Sequence, residues 1–185
     1  MITKLSNTLK KYATGRIIFA FLALMLLFAI VIVPMIQGRL ESSSGGSGPI
    51  DLLLSYTPEK AYSMIESYGD DGRSLYRTFA MTGDVIYPVV YSIFLGLLIT
   101  WLFQRSFTSN SKLQILNTVP LGAWLFDWLE NINIVTMLSL YPSSPTTVAK
   151  LASICTTIKW GFGAVGILLV LIGFVMALKN RFKKQ

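Results

Sequence analysis

Four apolar runs, each about as long as a bilayer is thick, leave this chain few folds to choose from. They cover residues 17–36, 82–103, 116–140 and 152–178. A 20-residue helix rises about 30 Å, enough to cross the hydrocarbon core. In lipid every backbone N–H and C=O has to be satisfied within the segment, so runs of this kind fold as helices. The expected fold is therefore all-α, a polytopic membrane protein built as an antiparallel four-transmembrane-helix bundle. It forms a single membrane domain over residues 1–185, with one outer loop, 37–81, that contains a short amphipathic helix. A composition 53% hydrophobic and only 14% charged agrees with that class.

The residues that are missing narrow the chemistry. There is no histidine and a single cysteine, Cys155. Histidine-type zinc sites, Ser-His-Asp or Cys-His catalysis and histidine-ligated haem are excluded. An internal disulfide is excluded as well. Cys155 falls in the fourth run among small residues and reads as a small hydrophobe, the alternative being a reactive thiol. Nothing calls for a cofactor or a metal. The net charge of +7 gathers at the two termini beside apolar runs, which argues for orientation in a membrane and against nucleic acid.

The first run, IIFAFLALMLLFAIVIVPMI, follows Lys4, Lys10, Lys11 and Arg16. It is too long for a signal-peptide core and no A-x-A site follows it, so an uncleaved span is expected. Pro34 is expected to kink or end it. The tract ESSSGGSGP reads as a flexible Gly/Ser loop. Thr57-Pro58-Glu59 then reads as a helix start, with Thr57 as N-cap and Pro58 at the first helical position. Ala61, Met64, Ile65 and Tyr68 share one face of that helix, and Gly69 stops it. A second helix is expected from Asp70-Asp71 to Phe103, entering the membrane near Thr82. The lysines and arginines of both termini, Lys179, Arg181, Lys183 and Lys184 included, place both ends in the cytoplasm and the 37–81 loop outside.

Ionisable residues inside the runs are the strongest pointer to function, since a charge in hydrocarbon is costly and is kept for a partner or a pathway. Arg73, Arg77, Ala80, Asp84, Tyr87 and Tyr91 follow one another at spacings of 3 and 4 and so form one helical stripe. Pro88 has no N–H, which frees the carbonyl of Asp84 close to its carboxylate, near the outer interface. A structural kink with interfacial tyrosines is the plainer reading of the same residues. In FDWLENIN, Asp127, Glu130 and Asn131 lie on one side of a helix. Two carboxylates so close in a low dielectric do not both ionise easily, which suits a general acid or a proton carrier. A buried salt-bridge network has the same signature. In the fourth run Ala152, Thr156, Lys159, Gly163, Gly166, Val170, Gly173 and Ala177 form a small-residue seam of the kind that lets membrane helices approach. Lys159 on that seam points into the bundle toward Glu130, Asp127 or Asp84, with snorkelling to the outer interface as the alternative. Trp124 and Trp128 line or flank this cluster, and Tyr56, Tyr62 and Tyr68 of the outer loop cover it.

GRSLY at Gly72–Tyr76, DVIYPVVY at Asp84–Tyr91 and DWLEN at Asp127–Asn131 together resemble a pattern of small bacterial four-span membrane proteins, over residues 55–135. That resemblance implies the four-span fold and carries no activity or cofactor. Claudin-like and tetraspanin-like proteins share the topology, but the outer-loop cysteines they need are absent.

Three function classes stay open. One is a binding or accessory subunit whose outward pocket holds a lipid headgroup, a small amphiphile or a partner helix. Its ligand-binding residues would be Arg73, Arg77, Asp84, Tyr87, Tyr91, Asp127, Glu130, Asn131 and Lys159, with both arginines meeting an anionic headgroup. The second is a membrane enzyme using Glu130, Asp127 or Asp84 as acid or base. A proton-coupled transporter is the third. Membrane lipids, another membrane protein or a second copy of the chain are the expected partners.

Overall fold

A computed structural model of the chain describes residues 1–108 and 111–182. Lys183 and Lys184, counted above for orientation, lie outside the described residues. Within them the fold is all-α, with seven α-helices: α1 (Ile2–Tyr12), α2 (Gly15–Ser44), α3 (Pro58–Ser67), α4 (Gly69–Met81), α5 (Gly83–Ser106), α6 (Pro120–Leu140) and α7 (Thr146–Phe182). Short 3-10 segments cover Ile50–Leu52 and Lys112–Thr118. Three of the helices, α2, α5 and α7, are long and apolar enough to cross a membrane. Their outward faces carry Phe19, Ile30, Leu171 and Val175, all more than half exposed, an apolar surface that a water-soluble domain would bury. The 21-residue α6 packs along α7 and α5 and carries two carboxylates among its apolar residues.

Two apolar cores stabilise the bundle. The upper one joins Leu40 of α2, Ile65 of α3, Tyr76 of α4, Ile134 and Met137 of α6, and Ala149 and Ala152 of α7. The lower one joins Ile99, Leu102 and Phe103 of α5 to Leu169 of α7. At Gly173 an added Cβ would lie 2.9 Å from the Cβ of Leu102, so glycine sets the separation of α5 and α7 there. Elsewhere on the seam the glycines differ. An added Cβ at Gly163 would meet nothing within 4 Å.

Several expectations need correction. The first run does not end at Pro34. The helix continues to Ser44, and the proline is accommodated by a π turn over Phe28–Ile32, in which the N–H of Val33 reaches the carbonyl of Phe28. The Gly/Ser tract is not a flexible linker either. Its serine hydroxyls donate back to the carbonyls of Arg39 and Leu40, and Gly45 at φ 68° caps the helix in the left-handed conformation. The stripe from Arg73 to Tyr91 is not one helix. Thr82, at φ −128° and ψ −83°, separates α4 from α5. The ring of Phe79 lies against the bare Cα of Gly83, where a Cβ would come within 2.6 Å of it.

The basic leader is also more than charge. Residues 2–12 form an amphipathic helix that docks beneath α5 through buried Ser6, whose carbonyl accepts from Asn117 Nδ2 at 3.3 Å. By contrast α3 starts as expected, the Thr57 hydroxyl accepting from the N–H of Lys60 at 3.2 Å. Its buried face is Ala61, Met64 and Ile65, and it lies on the bundle beside α7.

Candidate functional site

Between the two apolar cores lies a cluster of charge. Lys159 on α7 places its Nζ 2.5 Å from Glu130 Oε2, 3.8 Å from Asp127 Oδ2 and 3.3 Å from the backbone carbonyl of Asp51. Glu130 is fully buried, and its other oxygen accepts from the Thr156 hydroxyl at 2.5 Å. The i, i+3, i+4 spacing of Asp127, Glu130 and Asn131 puts all three on the inner side of α6, facing the α7 seam. Tyr91 donates to Asp127 Oδ2 at 3.0 Å, and Asn131 Nδ2 lies 3.4 Å from Asp127 Oδ1.

Asp84 occupies the first turn of α5. As Pro88 requires, its carbonyl has no helical donor, and Asn131 Nδ2 supplies one at 2.9 Å. The indole of Trp128 also donates to the carbonyl of Val85 at 2.9 Å. These bonds set the depth of Asp84. It lies level with the middle of α6, and α4 continues above it, packed on α6 and α2. Asp84 is only 5% exposed, and its Oδ2 has no hydrogen-bond partner.

Asp51 was not anticipated. After the Gly/Ser cap the chain turns at Asp51 and rises along α7, from the level of Lys159 and Trp160 to that of Ser153, and side chains of α7 bind its backbone in turn. Lys159 takes the carbonyl of Asp51, Trp160 Nε1 that of Leu53 at 3.0 Å, and the Thr157 hydroxyl that of Leu54 at 3.1 Å. The Ser153 hydroxyl accepts from the N–H of Tyr56 at 3.0 Å. Irregular backbone at such depth is tolerated when protein groups satisfy it, and here they do. The carboxylate of Asp51 accepts from the Tyr76 hydroxyl of α4. Its one sequence signal is an acid followed by the apolar triplet Leu52–Leu54, more than a hundred residues before its lysine.

A cavity of about 400 Å³ opens beside the cluster. Asp51, Asp84, Asp127, Lys159, Tyr87 and Tyr91 form its polar floor. Its walls are apolar, from Met25, Val33 and Ile36 of α2, Phe94 and Leu95 of α5, and Ile167 of α7. The π turn of α2 borders the same space, since Phe28 stacks on Tyr87 with ring centroids 5.3 Å apart. Lys159 is the one cation lining the cavity among the described residues, against three lining carboxylates and Glu130 behind them.

The remaining predicted residues lie elsewhere. Arg73 pairs with Asp70 at 2.5 Å and lies 4.2 Å over the ring of Tyr141, while Arg77 is exposed. Both border a separate cavity of about 330 Å³ at the upper end of α4. The break at Thr82 divides them from Asp84. Glu130 lies behind the floor of the main cavity, and Trp124 lines another, apolar, cavity of about 440 Å³ beside α1. Tyr62 of α3 and Tyr68, between α3 and α4, donate to the carbonyls of Pro145 at 3.0 Å and Gly48 at 2.7 Å. Cys155 is a buried free thiol. No residue cluster with the makings of a metal site occurs among the described residues. No family model, curated protein or solved structure matches the chain.

Proposed function

We propose that the protein is a four-span membrane protein that binds an amphiphile in the cavity between α2, α5 and α7. The observation that carries this reading is the pairing of apolar walls with a charged floor in one space of about 400 Å³, a size in the range of small-molecule sites. A tail suits the walls and a polar head suits the floor. The two irregular backbone features of the long helices, the π turn and the break at Thr82, both border this region, and such irregularities recur at functional sites.

The fourth span is α6. Its 21 residues rise about 31 Å, and its carboxylates face the protein interior and not the lipid. Charge distribution supports the orientation. Lys4, Lys10, Lys11, Arg16, Arg105, Lys112, Lys179 and Arg181 belong to the lower end, where Gln104 Nε2 lies 3.4 Å from the carbonyl of Lys10 and Asn180 Nδ2 lies 3.3 Å from that of Arg105. No acidic residue accompanies them. By the positive-inside rule this end is cytoplasmic, and α3, α4 and the cavity belong to the outer half.

A carboxylate enzyme acting on the same amphiphile is the second reading. Of its three candidates Asp84 is favoured, because it lines the cavity and has an oxygen without a partner, while Glu130 is sealed against Lys159 and Thr156. Native mass spectrometry of protein released from nanodiscs tests the binding reading. Wild type should retain an amphiphile, and Leu95→Trp, which fills the wall, should release it. Equal retention by both, or none by either, would refute the assignment.

A further inference from the structure

We infer that the head of the bound amphiphile is a primary ammonium, recognised by Asp84. This rests on the proposed amphiphile pocket and adds its ligand class. The floor of the cavity is rich in acceptors and nearly empty of free donors. The ammonium of Lys159 is already turned to Glu130, Asp127 and the carbonyl of Asp51. The Tyr91 hydroxyl is given to Asp127, and the Tyr76 hydroxyl behind the floor is given to Asp51. Asn131 spends its amide N–H groups on the Asp84 carbonyl and on Asp127.

What remains is the Tyr87 hydroxyl, which can give one proton or accept one, and the Oδ2 of Asp84, buried and without a partner, on a residue that lines the cavity. A carboxylate oxygen left unpaired at such depth is costly, and a donor bearing positive charge offsets that cost best. The charge balance points the same way, because one lysine faces three lining carboxylates and Glu130. An anionic head would find every cation of the floor engaged and would add to the excess. The rings of Tyr87 and Trp160 also border the space and suit a cation.

Two sources carry this chemistry, a long-chain monoamine and the ethanolamine head of an aminophospholipid. The test uses wild-type protein in phosphatidylcholine nanodiscs, read by native mass spectrometry after addition of dodecylamine, dodecanol, dodecanoate or phosphatidylethanolamine. Dodecylamine or phosphatidylethanolamine should be retained at least about tenfold more tightly than dodecanol, as a charge-assisted bond is stronger than a neutral one. Asp84→Asn should erase that preference. Retention of dodecylamine alone assigns the free amine, and of phosphatidylethanolamine alone the lipid head. Dodecanol or dodecanoate held as tightly as the amine overturns the ammonium assignment while leaving the pocket itself intact. Failure of all four probes to bind overturns both. The comparison of heads in wild type needs no variant, so an Asp84→Asn that does not fold leaves the test decisive.

Discussion

Removing either partner of the buried Lys159–Glu130 pair should destabilise the bundle, but unequally. Glu130→Gln keeps the shape and an oxygen to accept from Thr156. Lys159 would still face Asp127 at 3.8 Å and the Asp51 carbonyl at 3.3 Å. The loss is then that of one charged hydrogen bond, about 1.5–3 kcal/mol. Lys159→Met is worse. It strands Glu130 and Asp127 without a cation and leaves the Asp51 carbonyl without its donor, in the range of about 3–5 kcal/mol reported for breaking a buried pair. A gap of ~2 kcal/mol corresponds to roughly a thirtyfold difference in the folding equilibrium. The double variant should cost less than the sum of the two by at least ~1 kcal/mol, because the Glu130 charge that loss of the lysine strands is itself gone. Reversible unfolding in mixed micelles of rising dodecyl sulfate fraction measures all three. Equal losses for the two single variants, or additivity within about 0.5 kcal/mol, would show that Lys159 does not hold Glu130 as described.

Other outcomes follow from the same geometry. Gly173→Ala should cost about 1–3 kcal/mol by forcing α5 and α7 apart, as overpacking does. Gly163→Ala, with open space at its Cβ, should be neutral or stabilising in the same assay. Thr57→Ala should cost about 1 kcal/mol through loss of the α3 cap, read as a lower unfolding midpoint. Burial pushes the phenols of Tyr62 and Tyr68 above their ordinary value of 10.0. The folded state then holds those protons longer than the unfolded chain does. Stability should be insensitive to these groups below about pH 10 and fall as the pH rises beyond it, which a midpoint series with Tyr62→Phe and Tyr68→Phe as controls would detect.

What the sequence discloses here is what short-range periodicity encodes. The long apolar runs are legible because lipid demands continuous apolarity, and the inward direction of Lys159, Asp127, Glu130 and Asn131 is legible because steps of 3 and 4 residues return to one helical face. The donor-less carbonyl of Asp84 was readable from Pro88 alone, although its partner, Asn131, belongs to another helix. The break at Thr82 was hidden because Arg73, Arg77, Ala80 and Asp84 keep helical spacing straight through it. The interruption shows in the Thr82 backbone and in the ring of Phe79 lying on Gly83, a contact that depends on rotamer and leaves no periodic trace. Asp51 reaches Lys159 through a loop whose course is set by hydrogen bonds to Ser153, Thr157 and Trp160, and no local pattern encodes such a course. The docking of the helix at residues 2–12 leaves only its charges legible in the sequence, since it depends on Gln114 and Asn117 a hundred residues away.

The interruption at Thr82 also has a mechanical meaning. Below it α5 is bolted to α7, where Gly173 meets Leu102 and the Ser106 hydroxyl donates to the Gly173 carbonyl at 2.8 Å. Above it α4 is tied to the loop, through Tyr76 on Asp51, and to the residue that ends α6, through Arg73 on Tyr141. The junction itself is spanned by two four-residue turns, the N–H of Thr82 donating to the Phe79 carbonyl and that of Val85 to the Thr82 carbonyl. The break at Thr82 thus divides two separately anchored layers: α5, fixed to α7 below, and α3, α4 and the 51–56 segment, fixed to α6 and α7 above, with Asp84 just past the division.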